Sequence, residues 1–413
     1  MPAIPAPTLQ HIGTALRELG VTPPDGAVES AIARAASLEA GAEDVVEMLF
    51  SRLRATRIEL HAEPALLGAL LGGFVPGKPL SLYANEIPQP VRDVFRMVVG
   101  AIFDDFGIVP PEVVWVAAPD LPPRTLSVKI NDAPGSPVAA LADDELLVNT
   151  HPGTLAALGI PVRAMTNPAT GAEATVVAAR GQAVFEKAGF TFWTPAGFAA
   201  LVLYGEVRRQ LPRLLGIEDA EYLLSQLAAP APDLVAAVCG RFPIGDVTRV
   251  LRGLLREGVS IRNLAAILDR LLQFDTVPAD SPDEIIFDDR LPVPADSAPH
   301  WTRLREFVRG GLKEQLTFSI GRGQANLPVI VLDRTIEARL PAAPLDESEA
   351  RAFVSGVQKL LAQTPPPCAL LANPLTRAAC RELLARDLPL LPVLAYSELT
   401  PEANLQVLGQ ASL

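Results

Sequence analysis

The chain has 413 residues, a formal net charge of -12 and 49% hydrophobic residues. That length exceeds one compact core and implies several folded units. The acidic balance excludes a general affinity for nucleic acid or anionic membrane, both of which need clustered Lys and Arg. The three cysteines, Cys239, Cys368 and Cys380, have no metal-type spacing and fit a reducing cytoplasm.

The N-terminus lacks the basic start and apolar stretch of a signal peptide. Residues 1–62 read as a helical segment of three helices: Leu9, Ile12, Leu16 and Leu19, then Val28 to Leu38, then Val45 to Leu60, separated by Pro23, Pro24 and Gly41. The longest apolar window, Pro64 to Val75, is well short of the ~20 residues that cross a bilayer, so no direct membrane span is expected. Gly72, Gly77 and Lys78 fall at phosphate-loop offsets, but Pro79 replaces the Ser or Thr that would bind Mg²⁺ and Pro76 removes a donor.

From residue 63 the pattern is mixed α/β. Pro90 to Phe106 is a one-faced helix closed by Gly107, Val113 to Ala117 is a strand, and Leu126 to Ile130 alternates cleanly before a turn at Asn131 to Gly135. A discontinuous α/β subdomain over 63–133 and 179–200 would enclose a small β-rich insert, 134–178. A helical subdomain follows over 201–276, then an acidic, proline-rich linker over 277–299, with seven acidic residues from Asp275 to Asp296. Residues 300–413 alternate helix and strand as a C-terminal α/β subdomain: helix Trp301 to Leu316, strand Pro328 to Leu332, helix Glu347 to Leu361, strand Cys368 to Leu371, helix Thr376 to Arg386 and strand Leu391 to Tyr396.

Within the helical subdomain, Val247, Val250, Leu251, Leu254 and Leu255 keep the rhythm of a buried helix face. Gly258 sits where a left-handed residue would end that helix, and Ser260 is the expected N-cap of a second helix with Ile261, Leu264, Ile267, Leu268, Leu271 and Leu272 inward. One reading of this hairpin, 246–272, is a helix-turn-helix of a nucleic-acid-binding regulator. Its second helix offers only Arg262 and Arg270 against Asp269, and the chain is acidic, so packing is the favoured role.

No chemistry emerges. His11, His61, His151 and His300 lie far apart with no metal-ligand spacing, and no nucleophile with a base can be named; no enzyme, metal or cofactor is expected.

The hairpin segment Glu257-Gly258-Val259-Ser260-Ile261-Arg262-Asn263 resembles the Glu-Gly-Val-(Ser/Pro)-Ile-Arg-(Asp/Asn) segment in the cytosolic half of the flagellar and type III secretion export-gate family, FHIPEP. Four further segments match in family order: Gly107 to Val113, Asn167-Pro168-Ala169-Thr170-Gly171 against Asp-Pro-Ala-Phe-Gly, Leu327 to Asp333, and Pro392 to Leu399. The resemblance implies an α/β multidomain fold of four subdomains and a homo-oligomeric ring, nonameric in the family. It also implies a non-enzymatic role: docking secretion substrates, export chaperones and export-apparatus proteins in the cytoplasm, at the inner membrane. It implies a cleft around Asn167, Pro168, Thr170 and Gly171 with Phe198 and Leu201; Glu257, Gly258, Ser260 and Arg262 are expected to be structural, with Arg256, Glu257 and Arg262 tying the helical subdomain to its neighbours. Family members carry a membrane-spanning N-terminal half; the proline-rich start here fits a free-standing relative. The family's Asp, Phe and Thr in the docking cleft are replaced by Asn167, Thr170 and Leu201, which removes an acceptor charge and an aromatic anchor.

Overall fold

The alternation of Arg57, Glu59 and His61 with Ile58, Leu60 and Ala62 sends every second side chain inward, and the segment is a strand, β1 (Arg57–Ala62), at the centre of its sheet. The computed structural model describes residues 57–274 apart from Asp132, then 300–321, 326–340, 345–362 and 368–412. β1 corrects the sequence reading, which places 57–60 at the end of a helix and 61–62 in the same helical segment. Pairing to strands on both sides satisfies the backbone in a way that the local apolar spacing does not reveal. The first two expected helices, the rest of the third and the acidic linker lie outside the described residues.

The described residues divide into two compact units, 57–214 and 215–412. In the first, β1 is followed by α1 (Pro64–Leu70), β2 (Leu80–Ser81), α2 (Gln89–Phe106), β3 (Glu112–Ala117), β4 (Thr125–Ile130), β5 (Ala133–Pro134) and β6 (Val138–Ala139). Then come β7 (Glu145–Val148), α3 (Pro152–Ala156), β8 (Arg163–Thr166), β9 (Glu173–Ala178), α4 (Gln182–Lys187), β10 (Phe192–Trp193) and α5 (Pro195–Gln210).

One sheet runs β2-β3-β1-β4-β5, with β6 also on β4; β1 and β3 are parallel and the other pairs antiparallel. Its core face carries Ile58, Leu60, Trp115, Val128 and Ile130, all buried. α2 presents Val91, Phe95, Val98, Ile102 and Phe106 inward, Phe95 meets Trp115 edge-on at 5.2 Å, and Gly107 ends the helix at φ 76°. No β-strand leads into Gly72 and no helix follows Lys78, so the near-phosphate loop is a connection from α1 to β2. The second sheet, β10-β7-β9-β8, is antiparallel and covers a small core of Leu146, Val148, Leu155, Val177 and Phe185. It thus draws on α4 and β10, which the sequence reading groups with the first sheet.

The second unit continues with α6 (Ile217–Ala228), α7 (Pro232–Arg241), α8 (Ile244–Arg256), α9 (Leu264–Gln273), α10 (His300–Gly310), α11 (Lys313–Gly321), β11 (Asn326–Leu332) and α12 (Arg334–Arg339). It ends with α13 (Glu347–Ala362), β12 (Ala369–Ala372), α14 (Pro374–Leu384), β13 (Val393–Ala395) and β14 (Asn404–Ala411). The single helix expected over Trp301 to Leu316 is two, broken at Gly311, where Arg270 lies so close that an added Cβ would stand 2.7 Å from its side chain. The sheet, β13-β12-β11-β14, is wholly parallel. Ile330, Leu332, Phe353, Val357, Leu370, Leu384 and Val393 form its core. Among the described residues, no helix is long and apolar enough to cross a membrane.

Candidate functional site

The turn singled out in the sequence connects β8 to β9. Thr166 pairs with Glu173, and the Asn167 N–H donates to the Ala172 carbonyl at 2.8 Å, closing the hairpin. The Asn167 carbonyl then accepts from Gly171 at 2.8 Å, and Gly171 takes φ 74°, a conformation costly for any residue with a Cβ. The Asn167 side chain turns inward and is buried. Its Oδ1 accepts from the Ala169 N–H at 2.9 Å and its Nδ2 donates to Asn149 Oδ1 at 2.9 Å, which anchors the turn to the residue after β7. A neutral carboxamide serves both contacts; a carboxylate could not donate to Asn149.

α5 supports this turn. Phe198, Leu201 and Gly205 recur at i, i+3 and i+7 on one face, and a Cβ added to Gly205 would stand 2.1 Å from the Pro168 carbonyl oxygen. The Ala169 carbonyl accepts from Arg208 Nη1 at 3.3 Å. Phe198 is 0% exposed and Leu201 5%, so neither can touch a partner on the surface as it stands. Thr170 and Gly171 are exposed and Pro168 is half-buried. The six residues therefore form a short exposed tip on a buried platform. Beside it, Arg163 meets Glu145 at 2.9 Å; burial pushes the Glu145 carboxyl up, but the Ala142 N–H and Arg163 outweigh it and hold it below its usual range.

The helical hairpin is built for packing. The Gly258 N–H donates to Leu255 and the Val259 N–H to Leu254, the paired bonds of a Schellman cap, with Gly258 at φ 72° and Val259 buried. The N-cap of α9 is Asn263, whose Oδ1 accepts from the Ala266 N–H, and not Ser260. Ser260 instead accepts from the Arg262 N–H at 3.3 Å through its hydroxyl and from Gln315 Nε2 at 2.8 Å through its carbonyl. Arg262 is exposed. Of the two cations that would have faced nucleic acid, Arg270 is stacked 4.0 Å over the Phe307 ring.

Glu257, which closes α8, enters a buried ion network. It lies 3.1 Å from Arg309 and is bonded to Arg377, while Arg309 Nε donates to Glu398 Oε1 at 2.6 Å and Arg377 Nη2 to Glu306 Oε2 at 2.6 Å. Side-chain exposures are 7% for Glu257, 2% for Arg309, 2% for Arg377 and 6% for Glu398. Arg309 also donates to the Val393 carbonyl at 3.0 Å and Glu398 accepts from the Ala395 N–H at 2.9 Å, so the network joins the helical hairpin to the end of β13. Sequence reasoning did not single out Arg309, Arg377 or Glu306. A signal exists for one: Arg377 and Arg381 occupy the same face of α14 as Cys380 and Leu384, where the helical period asks for apolar residues. Among the described residues no group of three His, Cys, Asp or Glu side chains is placed to hold a metal.

The two units together have the fold of the cytosolic domains of secretion export-gate proteins. The Chlamydia pneumoniae CdsV protein aligns with a TM-score of 0.69 over 86% of this chain and 98% of that one at 23% identity, and its complex with the CdsO protein gives 0.68. Nonameric EPEC SctV-C gives a TM-score of 0.62 over 87% of this chain and 99% of that one at 15% identity.

The chain belongs to the FHIPEP family, whose match spans residues 79–404. The hypersensitivity response secretion protein HrcV of Ralstonia nicotianae is 25% identical over 353 residues, 80% of this chain and 46% of HrcV. The flagellar biosynthesis protein FlhA of Bacillus subtilis is 26% identical over 235 residues, 54% of this chain and 32% of FlhA. The chain spans about half the length, or less, of the curated relatives it matches.

Proposed function

We propose that this chain is a non-enzymatic component of a type III or flagellar-type protein export apparatus that docks export substrates, or chaperones carrying them, at the β8–β9 tip. Family membership over 79–404 supports the apparatus. The observation that carries the site is the rigid tip itself: Thr170 and Gly171 exposed, with Asn167, Phe198, Leu201 and Gly205 fixing them from below. Partner contacts come from Pro168, Thr170 and Gly171. The buried residues position them. In this reading the chain divides into the α/β, insert, helical and C-terminal α/β subdomains, assembles with copies of itself as its nonameric neighbour does, and works in the cytoplasm below the export channel.

The test is calorimetry between the full chain and a purified export chaperone with its substrate bound. Thr170→Phe, which restores an aromatic anchor worth about 2 kcal/mol or more when buried in an interface, is expected to tighten binding at least tenfold. Thr170→Asp should weaken it. Binding that responds to neither substitution places docking elsewhere and refutes the proposal.

A further inference from the structure

Three consecutive residues after β7 hold the β8–β9 hairpin. Asn149 Oδ1 accepts from the Asn167 side chain at the turn, and the Thr150 carbonyl accepts from the Thr175 hydroxyl at 2.6 Å. His151 Nε2 stands 3.0 Å from Glu173 Oε2, two residues past Gly171. The same histidine caps α3, where its Nδ1 accepts from the Gly153 N–H at 3.1 Å. α3 has only five residues, and its Leu155 is fully buried in the small core with Val148, Val177 and Phe185.

The two contacts of His151 make opposite demands on its charge. Gly153 can donate only to a bare Nδ1, which requires a neutral ring with its proton on Nε2. A charged ring carries a proton on both nitrogens, so two donors would face each other and the cap is lost. Glu173 pulls the other way, because its carboxylate is an ion-pair partner for a charged ring. Asn149 and Thr150, the other two holds on the hairpin, do not titrate. Among the described residues, the charged groups on the surrounding elements are few. β9 brings Glu173, while α3, β10 and the turn 167–172 bring none. Arg163 and Glu145 pair with each other at the opposite ends of β8 and β7, and α4 carries exposed Glu186 and Lys187, of opposite sign.

We propose that His151 is a proton switch: neutral, it caps α3; charged, it gives up that cap and grips Glu173 as an ion pair at the base of the β8–β9 hairpin. An imidazole is the side chain that ordinarily changes charge between about pH 5 and 8. Side-chain exposures of 65% for His151 and 52% for Glu173 leave the pair open to protons from bulk water. The switch acts on the hairpin whether or not a partner docks at its tip.

The experiment uses the full chain, isotope-labelled, and reads protection of the Gly153 amide against solvent exchange, corrected for intrinsic pH dependence, between about pH 8 and about pH 5. Protection should fall about fivefold on acidification, the factor that corresponds to an N-cap worth about 1 kcal/mol. His151→Asn supplies a cap oxygen that cannot ionise and should hold the protection constant. Glu173→Gln should keep the fall but move its midpoint to lower pH, because the carboxylate that favours the charged ring is gone. The nitrogen chemical shift of His151 Nδ1 should report no proton there at the alkaline end. Gly153 protection that does not change with pH overturns the proposal, as does the same fall in His151→Asn or a proton on Nδ1 at the alkaline end. A midpoint that Glu173→Gln leaves in place removes the grip on the hairpin and overturns it equally.

Discussion

Replacing Glu257 by Gln is the sharpest test of what joins the hairpin to the C-terminal sheet. Gln keeps the shape of a protonated carboxyl and removes the charge. Burial by itself would raise the Glu257 pKa, but Arg377, then Arg309 and Arg305, overcome it and hold the carboxyl at about 2, against 4.5 in an open chain. The folded pKa is depressed, so the stabilisation is fully present above 4.5 and is lost as pH falls toward 2. Carried through the linkage of proton binding to folding, a carboxyl held at about 2 in place of 4.5 contributes about 3 kcal/mol at pH 7. That is close to the roughly 3–5 kcal/mol lost when one partner of a buried ion pair is removed. At pH 3.5 the same linkage leaves about 2 kcal/mol. Urea unfolding read by amide exchange in α8 and α14 should give Glu257→Gln a deficit of about 3 kcal/mol at pH 7 that narrows toward pH 3.5. A deficit below about 1 kcal/mol, or one that is the same at both pH values, refutes the reasoning.

Three other substitutions test local geometry. Gly258→Ala should cost about 1–2 kcal/mol by urea unfolding, wholly from its positive φ, because no atom lies within 4 Å of the added Cβ; Gly258→Asn should cost less. Gly205→Ala drives a methyl into the Pro168 carbonyl, so a loss of about 1–3 kcal/mol should accompany faster amide exchange at Thr170 and Gly171. Asn263→Ala should cost about 1 kcal/mol and Ser260→Ala clearly less, a ranking that reverses if α9 starts at Ser260.

Much of this architecture is legible because local rules and tertiary packing agree. Gly107 and Gly258 each follow an apolar face with helical period, and each is a left-handed helix end. Asn167-Pro168-Ala169-Thr170-Gly171 spells a turn, and a turn is there. What the letters do not carry is direction: the Asn167 carboxamide and the Phe198 ring point inward because Asn149 and α5 approach from elsewhere in the chain. The start of α9 was misplaced at Ser260 for a local reason: Asn263, three residues on, is an equally good cap acceptor, and it is the one the helix uses. β14 escaped notice because its alternation, Asn404-Leu405-Gln406-Val407, is short and breaks at Leu408-Gly409, and the strand is exposed over most of its length. Glu257 and Arg377, 120 positions apart, could not be paired by any window.

The ion network matters more for placement than for net stability. Buried pairs often do no better than apolar residues of the same volume, because desolvation cancels much of the attraction. Yet an unpaired buried guanidinium is costly, and Arg309 and Arg377 find carboxylates only when the end of α8, α10, α14 and the turn after β13 sit in one arrangement. A one-residue slip of α8 would carry Glu257 off that face and put exposed Arg256 or Gly258 in its place. The Schellman turn at Gly258 fixes where α8 stops, and so which residue reaches the arginines. The glycine and the glutamate beside it therefore act as one unit: the first sets the end of the helix, the second locks that end to the sheet.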